Sequence, residues 1–536
     1  MSGERIYLYD TTLRDGAQTQ DVDFSVADKI AIAKAIDDIG MDYVEGGWPG
    51  ANPTDDQFFA ADPGLKRAKF TAFGMTRRPG RSAANDPGLA GLFNSCAGAL
   101  CLVGKTWDFH VDVALGIPRD ENLEIIEDSV RAAGAAKGEA LFDAEHFFDG
   151  YKRNPAYAIS CLKAAERGGA RWIVLCDTNG GTLPDEIESI VRAVVVEHGL
   201  PGEKLGIHCH NDTENAVANS LAAVRGGVRM VQGTINGLGE RCGNANLIAI
   251  IPSLMLKMGF KTGIDETGLP RLTELSRMLD ERLNRAPNRH AAYVGASAFA
   301  HKGGLHVSAV EKDPTSYEHV RPEQVGNRRV IVMSDQAGRS NVVARVRDMG
   351  LDIDPADSRL GKLVDLVKQR DTDGYAYDTA EASFELLVRR ELGLVPSFFQ
   401  LKRFHVTDEH RYNALGVPVV ESEAVVRLVV ADREYHEVAD GNGPVHALDR
   451  AMRRALETAY PDIARIKLTD YKVRILTAST GTAANTRVLI RSQNGDAGEW
   501  STLGVSTNII AASAQALIDS YTYKLLRDGA KPSAKP

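Results

Sequence analysis

Eight short apolar runs, each separated from the next by a helical pattern, occupy the first half of this 536-residue chain. They lie at 6–13, 43–48, 69–74, 99–104, 139–147, 172–178, 205–211 and 230–237. Between them the apolar period lengthens, as at 28–39, where Ile30, Ala33, Ile36 and Ile39 fall on one helical stripe. Eight strands with intervening helices over about 250 residues match a (β/α)8 (TIM) barrel. A doubly wound open sheet is the rival architecture, but no Gly-x-Gly-x-x-Gly turn follows the first run. The alternation therefore predicts an α/β barrel domain over residues 1–262.

The pattern then changes. Leu272, Leu275, Met278, Leu279 and Leu283 mark an amphipathic helix, and charged helical stretches with short loops continue to about residue 395. Residues 263–400 are thus expected to form helical linker or lid subdomains. Strand signals return at 403–407, 424–432, 471–478 and 487–491, with helices at 445–457 and 508–526. Pro444 at a first helical position supports the former helix. Residues 401–528 read as a separate αβ domain, with a flexible turn at 477–485 and a disordered tail at 529–536.

Composition excludes several classes of function. Charged residues are 25% and apolar ones 43% of the chain, ordinary values for a globular protein. A formal charge of −9 without a basic run argues against nucleic acid or an anionic membrane as partner. No apolar stretch reaches the ~18 residues of a membrane span. The six cysteines form no Cys-x-x-Cys pair, so reduced, mostly buried thiols in a cytoplasmic protein are expected.

Chemistry-bearing residues gather at the ends of the predicted strands. The chain leaves the first strand through Asp10-Thr-Thr-Leu-Arg14-Asp15-Gly-Ala-Gln18, which sets a guanidinium beside carboxylates and a glycine turn. That pairing reads as an anion clamp next to a metal ligand, or as a salt-bridged turn. In His208-Cys-His210 the two imidazoles share one face of the seventh strand, because side chains at i and i+2 point the same way. Two imidazoles and the Asp15 carboxylate give a metal three protein ligands with positions left open. Glu145 ends the fifth strand and reads either as a base or as the anchor of Arg14. Thr178, after the sixth strand, reads as a donor to a bound carboxylate or as a helix cap. The polar run Asn236–Asn244 is expected to wrap the metal, with Asn244 as a further oxygen ligand, while Glu240-Arg241 also fits a surface pair.

Three of these motifs, Asp10–Gln18, His208-Cys-His-Asn211 and Gly237-Leu-Gly-Glu-Arg-Cys-Gly-Asn244, together resemble the isopropylmalate, homocitrate and citramalate synthase family. Gly441-Asn-Gly-Pro-Val445 and Gly504-Val-Ser-Thr-Asn-Ile-Ile510 resemble the regulatory (LeuA-type) domain of that family, so the likeness spans nearly the whole chain. Glu45-Gly-Gly-Trp-Pro-Gly50 and Ala298–His306 are most similar to its citramalate synthase branch. The resemblance implies a divalent metal (Mg, Mn or Zn) on Asp15, His208, His210 and Asn244. It implies a 2-oxo acid held by Arg14 and Thr178, and proton transfers by Glu145 and His306, the histidine often coming from a partner subunit. Val307-Ser308 follows that histidine where relatives often carry an acidic or amide side chain.

The reaction implied is condensation of acetyl-CoA with pyruvate followed by thioester hydrolysis, in isoleucine biosynthesis, by a homodimer under isoleucine feedback. Synthases taking 2-oxoisovalerate or 2-oxoglutarate, lyases running the cleavage direction and a non-catalytic amino-acid sensor are the rival expectations. Met75, Leu102 and Tyr151 are candidates for lining the acceptor pocket.

Overall fold

The computed structural model describes residues 3–532, apart from 333–338, 352, 355–356, 413, 477–482 and 496–497. The chain divides into two compact units, one of residues 1–299 and 318–329, the other of residues 300–317 and 330–536. The segment 263–400 is thereby shared between them.

The first unit is a closed parallel barrel of eight strands in sequence order. They are β1 (Tyr7–Asp10), β2 (Tyr43–Gly47), β3 (Lys69–Met75), β4 (Ala99–Lys105), β5 (Ala140–Glu145), β6 (Trp172–Asp177), β7 (Leu205–Cys209) and β8 (Met230–Gly233). Closure comes from β1 pairing with β8, Tyr9 opposite Gln232. Every expected strand is present, but most end earlier than their apolar runs. The backbone turns out of the sheet at His146 (φ 56°) after β5 and at Asn236 (φ 59°) after β8. Those turns hand the following residues to the loops at the strand ends.

Alternation along the strands separates two packing layers. Leu100, Leu102, Ile173, Leu175 and Ile207 face outward and join the helices in one large apolar core. Inward-facing Tyr9, Tyr43, Cys101, Leu141, Trp172, Val174 and Met230 fill the barrel axis. Two residues further along β5 and β8, parity puts Asp143 and Gln232 on that same inner face. Both are buried, as are Glu45 and His208. An apolar layer thus underlies a polar one, and the polar one lies toward the C-terminal strand ends.

In the second unit, β9 (Ala300–His301) pairs in parallel with β10 (Val330–Ile331). Helices Arg339–Asp348, Ser358–Thr372 and Glu381–Glu391 pack around Val346, Leu363 and Phe384. Two antiparallel three-stranded sheets follow. One is β11 (Gln400–Tyr412), β12 (Pro418–Val430) and β13 (Arg433–Gly441), the other β14 (Lys467–Ile475), β15 (Thr486–Gln493) and β16 (Glu499–Ser506). Helices Pro444–Glu457 and Ile509–Arg527 contribute to the apolar core they share with these sheets. Strands β13 and β16 are additions to the sequence reading. In β13 exposed residues alternate with half-buried or buried ones from Glu434 to Gly441, and only Ala439 is fully enclosed, so no apolar stripe marks it. In β16 Ser501 and Thr502 are buried, and the Thr502 hydroxyl donates to Ala516 O. The expected turn at 477–485 falls largely, and the tail at 529–536 partly, outside the described residues.

Among the described residues no helix is long and apolar enough to cross a membrane. None of the six cysteines is disulfide-bonded; Cys101, Cys161, Cys176 and Cys209 are buried, whereas Cys96 and Cys242 are exposed.

One buried ion pair fixes the loop after β2. Lys29, on helix Val26–Ile39, pairs with Asp55 and donates to Gly46 O at 2.9 Å. Asp55 also accepts from Trp48 N at 2.9 Å. Gly47 adopts φ +147°, and a Cβ there would lie 2.5 Å from the Asp55 carboxylate. Removing one partner leaves the other charge buried and unpaired, so Lys29→Met is expected to cost about 3–5 kcal/mol. Urea unfolding of the variant checks this; an unchanged midpoint would contradict it.

Candidate metal and oxo-acid site

The C-terminal strand ends of the barrel bring together residues that are far apart in sequence. Asp15 follows β1, His208 lies in β7, His210 follows it, and Asn244 comes from the loop after β8. His210 and Asn244 form an isolated antiparallel bridge, and Asn211 N donates to Gly243 O at 2.8 Å. The glycines of that loop are required by geometry. Gly243 has φ +94°, and a Cβ on Gly239 would lie 2.0 Å from Asn244 Oδ1.

Both imidazoles direct Nε2 at Asp15 Oδ2, His208 at 3.3 Å and His210 at 3.8 Å. Each is held through its other nitrogen, Nδ1 of His208 on Gln232 Oε1 and Nδ1 of His210 on Thr178 O, both at 2.8 Å. Gln232 in turn donates to Asp143 at 3.0 Å. One potential ligand atom from each of Asp15, His208 and His210 lies within 4.8 Å of the others. Asn244 Nδ2 donates to Asp15 Oδ2 at 2.7 Å, which leaves Asn244 Oδ1 buried without a partner. A buried amide oxygen is costly to leave unpaired. Turning the amide over would aim that oxygen at the Asp15 carboxylate, where an intervening cation would suit both oxygens. The donor set of one carboxylate, two imidazoles and one amide oxygen therefore fits a divalent cation.

Charge in the site is set by the same contacts. Burial would raise the Asp15 carboxyl, but the Arg14 guanidinium and the two imidazoles outweigh it and hold the group well below the usual carboxylate range. For His208 burial favours the neutral ring, yet Asp15 raises its pKa. Asp143, enclosed in the barrel, is pushed up to about 6 by burial.

Arg14 is clamped on three sides. Its Nε donates to Glu45 Oε2 at 2.7 Å, its Nη1 lies 3.3 Å from Asp15 Oδ1, and its guanidinium stacks 3.8 Å over the Phe73 ring. Glu45 is fully buried and also accepts from Tyr9 Oη at 2.6 Å and from Thr11. The anchor of Arg14 is therefore Glu45 and not Glu145, the residue that the sequence offered for that role. Glu145 is instead paired with Lys105 at 2.5 Å and partly exposed. Thr178 Oγ1 accepts from His146 N at 2.8 Å, so the hydroxyl supports the turn after β5. Arg241 reaches Asp212 at 2.7 Å and Thr178 O at 2.9 Å, which makes it more than the partner of Glu240.

A cavity of about 340 Å3 opens beside Glu145 and Lys105, lined also by Trp48, Met75 and Val103. Of the three acceptor-pocket candidates only Met75 reaches it. Leu102 belongs to the outer core, and Tyr151 packs on Phe147 and His198. His306 lies in the second unit, exposed on helix Gly304–Lys312, its ring stacked 4.2 Å from that of Tyr317. Glu45, Asp143 and Gln232 are the residues the sequence reading did not assign. Their signal was a polar side chain inside an otherwise apolar strand.

Known proteins resemble this chain along nearly its whole length. The HMGL-like family profile matches residues 5–276, the homocitrate synthase post-HMGL domain-like profile residues 293–373, and the LeuA allosteric (dimerisation) domain profile residues 378–525. An (R)-citramalate synthase of Aquifex aeolicus is 50% identical over 527 residues, covering 98% of each chain. One of Geobacter sulfurreducens is 51% identical over 522 residues, covering 97% of each. A 2-isopropylmalate synthase of Heliobacterium modesticaldum is 30% identical over 540 residues, covering 99% of each. With a family profile over half its length and relatives near 50% identity from end to end, the chain belongs to the HMGL-like family of enzymes, in its (R)-citramalate synthase group.

Proposed function

We propose that the enzyme joins the acetyl group of acetyl-CoA to the keto carbon of pyruvate and hydrolyses the resulting thioester, giving (R)-citramalate and CoA. The observation that carries this reading is the convergence of Asp15, His208 and His210 beside a locked Arg14. Identity of 50% to an (R)-citramalate synthase, against 30% to a 2-isopropylmalate synthase, supports pyruvate over larger acceptors.

In this reading Asp15, His208, His210 and Asn244 hold a divalent cation, which when bound polarises the keto oxygen as a Lewis acid. Arg14 spends one N–H on Glu45 and keeps others for the oxo acid. Its fixed charge stabilises the alkoxide that develops at the keto oxygen, without reorganisation at the moment of reaction. Thr178 Oγ1 already accepts a bond, so its own proton is left to donate to the substrate carboxylate. Glu145 removes a methyl proton from the acetyl thioester, a step to which a positioned base contributes about 10²–10⁴-fold. The enolate carbon attacks the keto carbon, and the resulting alkoxide takes up a proton to become the hydroxyl of the product. His306 is the second proton-transfer group and serves the water that cleaves the thioester, releasing CoA as its thiol.

The enzyme acts as a homodimer on the route to isoleucine, and residues 401–528 bind isoleucine and lower the rate. The LeuA allosteric (dimerisation) profile over 378–525 supports dimerisation and an allosteric role for this region.

Thiol release from acetyl-CoA tests the proposal. It is expected with pyruvate plus Mg2+ or Mn2+ and to be much slower with 2-oxobutyrate, 2-oxoisovalerate and 2-oxoglutarate. Arg14→Ala is expected to lower kcat about 10²–10³-fold. Faster turnover of 2-oxoisovalerate than of pyruvate would favour a 2-isopropylmalate synthase. In the same assay isoleucine is expected to slow the full-length enzyme while leucine and valine leave it unchanged. Indifference to isoleucine would refute the regulatory assignment.

A further inference from the structure

Gln232 lies inside the barrel between two groups that settle which way its amide points. A carboxylate only accepts hydrogen bonds, so the amide turns its NH2 to Asp143, with Nε2 3.0 Å from Oδ1. Gln232 Oε1 is thereby aimed at His208 Nδ1, 2.8 Å away. An amide oxygen cannot donate, so the Nδ1 position must carry the proton. The lone pair of the neutral ring is then on Nε2, the nitrogen that faces Asp15 at 3.3 Å. Gln232 is 0%, Asp143 3% and His208 6% exposed, so bulk water does not compete for these bonds.

The two imidazoles are thus fixed by different means. His210 Nδ1 lies 2.8 Å from both the Thr178 carbonyl oxygen and Arg241 Nη2, so a main-chain acceptor and a charged side-chain donor meet at that nitrogen. His208 relies on a side-chain amide, which can present either end unless a neighbour decides. Strand register makes the relay possible, since Gln232 stands opposite His208 across the β7–β8 pairing. Asp143 shares the inner face of β5 with Leu141.

We infer that Gln232, oriented by Asp143, is a positioning residue of the metal site that holds His208 in the tautomer whose Nε2 binds the cation. The inference rests on the proposed role of Asp15, His208 and His210 as metal ligands. It goes beyond that role by assigning a function to two buried residues that touch neither metal nor substrate.

Calorimetric titration of the metal-stripped, full-length protein with Mn2+ alone tests it, apart from any assay of turnover. Three proteins are compared: wild type, Gln232→Met, and the double variant Asp143→Asn with Gln232→Glu. Gln232→Met keeps the length of the side chain and removes both polar ends. It is expected to bind Mn2+ about 10–100-fold more weakly, the usual cost of losing a residue that orients a ligand. The double variant exchanges carboxylate and amide, so the carboxylate now carried by β8 would again accept from His208 Nδ1–H, and wild-type affinity is expected to return. Unchanged affinity in a folded Gln232→Met, or a double variant about 10–100-fold weaker than wild type, would overturn the inference. If Gln232→Met does not fold, the double variant decides alone. Failure of the wild type to bind Mn2+ would instead overturn the metal-site reading itself.

Discussion

The Asp15 carboxylate is buried, and burial by itself would make it hold a proton. It stays ionised because Arg14 and two imidazoles surround it, and much of the barrel mouth is arranged around that balance. Removing charges from water is expensive, and a cluster of this kind persists only when each member is also hydrogen-bonded. Here each is. Arg14 is held by Glu45, His208 by Gln232, and His210 by the Thr178 carbonyl. The one exception is Asn244 Oδ1, the atom that a bound cation would satisfy.

Barrel closure supplies these contacts. Pairing of β1 with β8, and of β8 with β7, sets the start of the chain beside residues more than two hundred positions away. Strand parity then sorts the interior, with aromatic and aliphatic side chains toward one end and Glu45, Asp143, Gln232 and His208 above them. The apolar floor is rigid, with Trp172 and Tyr9 among its fully buried side chains. A rigid floor lets a hydrogen-bond relay two residues deep control which nitrogen a histidine presents. Phe73 serves both layers, since it belongs to the apolar floor and carries the Arg14 guanidinium on its face.

Much of this was legible in the residues themselves. Eight apolar runs with helical spacers specify a barrel because few other folds absorb that alternation, and His208 and His210 were readable as a pair because i and i+2 share a face. The supporting shell was harder to see. Gln232 sits in Met-Val-Gln-Gly and Glu45 in Tyr-Val-Glu-Gly, where one polar residue in a short strand looks like a solvent-facing position until closure turns it inward. Glu145 was a plausible anchor for Arg14 by charge alone; only the fold shows Glu45 nearer and Lys105 beside Glu145. Strand β13 escaped because its charged residues interrupt the apolar period, and β16 because it buries polar residues such as Thr502, whose hydrogen bond a hydropathy pattern does not record.

The central claim is that Asp15, His208 and His210 form one cation site with Arg14 poised at its open side. Anomalous diffraction from crystals soaked in Mn2+ and pyruvate tests it most directly. The account predicts a single manganese peak in contact with one Asp15 oxygen and the Nε2 atoms of both histidines, with the pyruvate carboxylate or keto oxygen against Arg14. Manganese bound elsewhere, with this cluster empty and pyruvate away from Arg14, would contradict it.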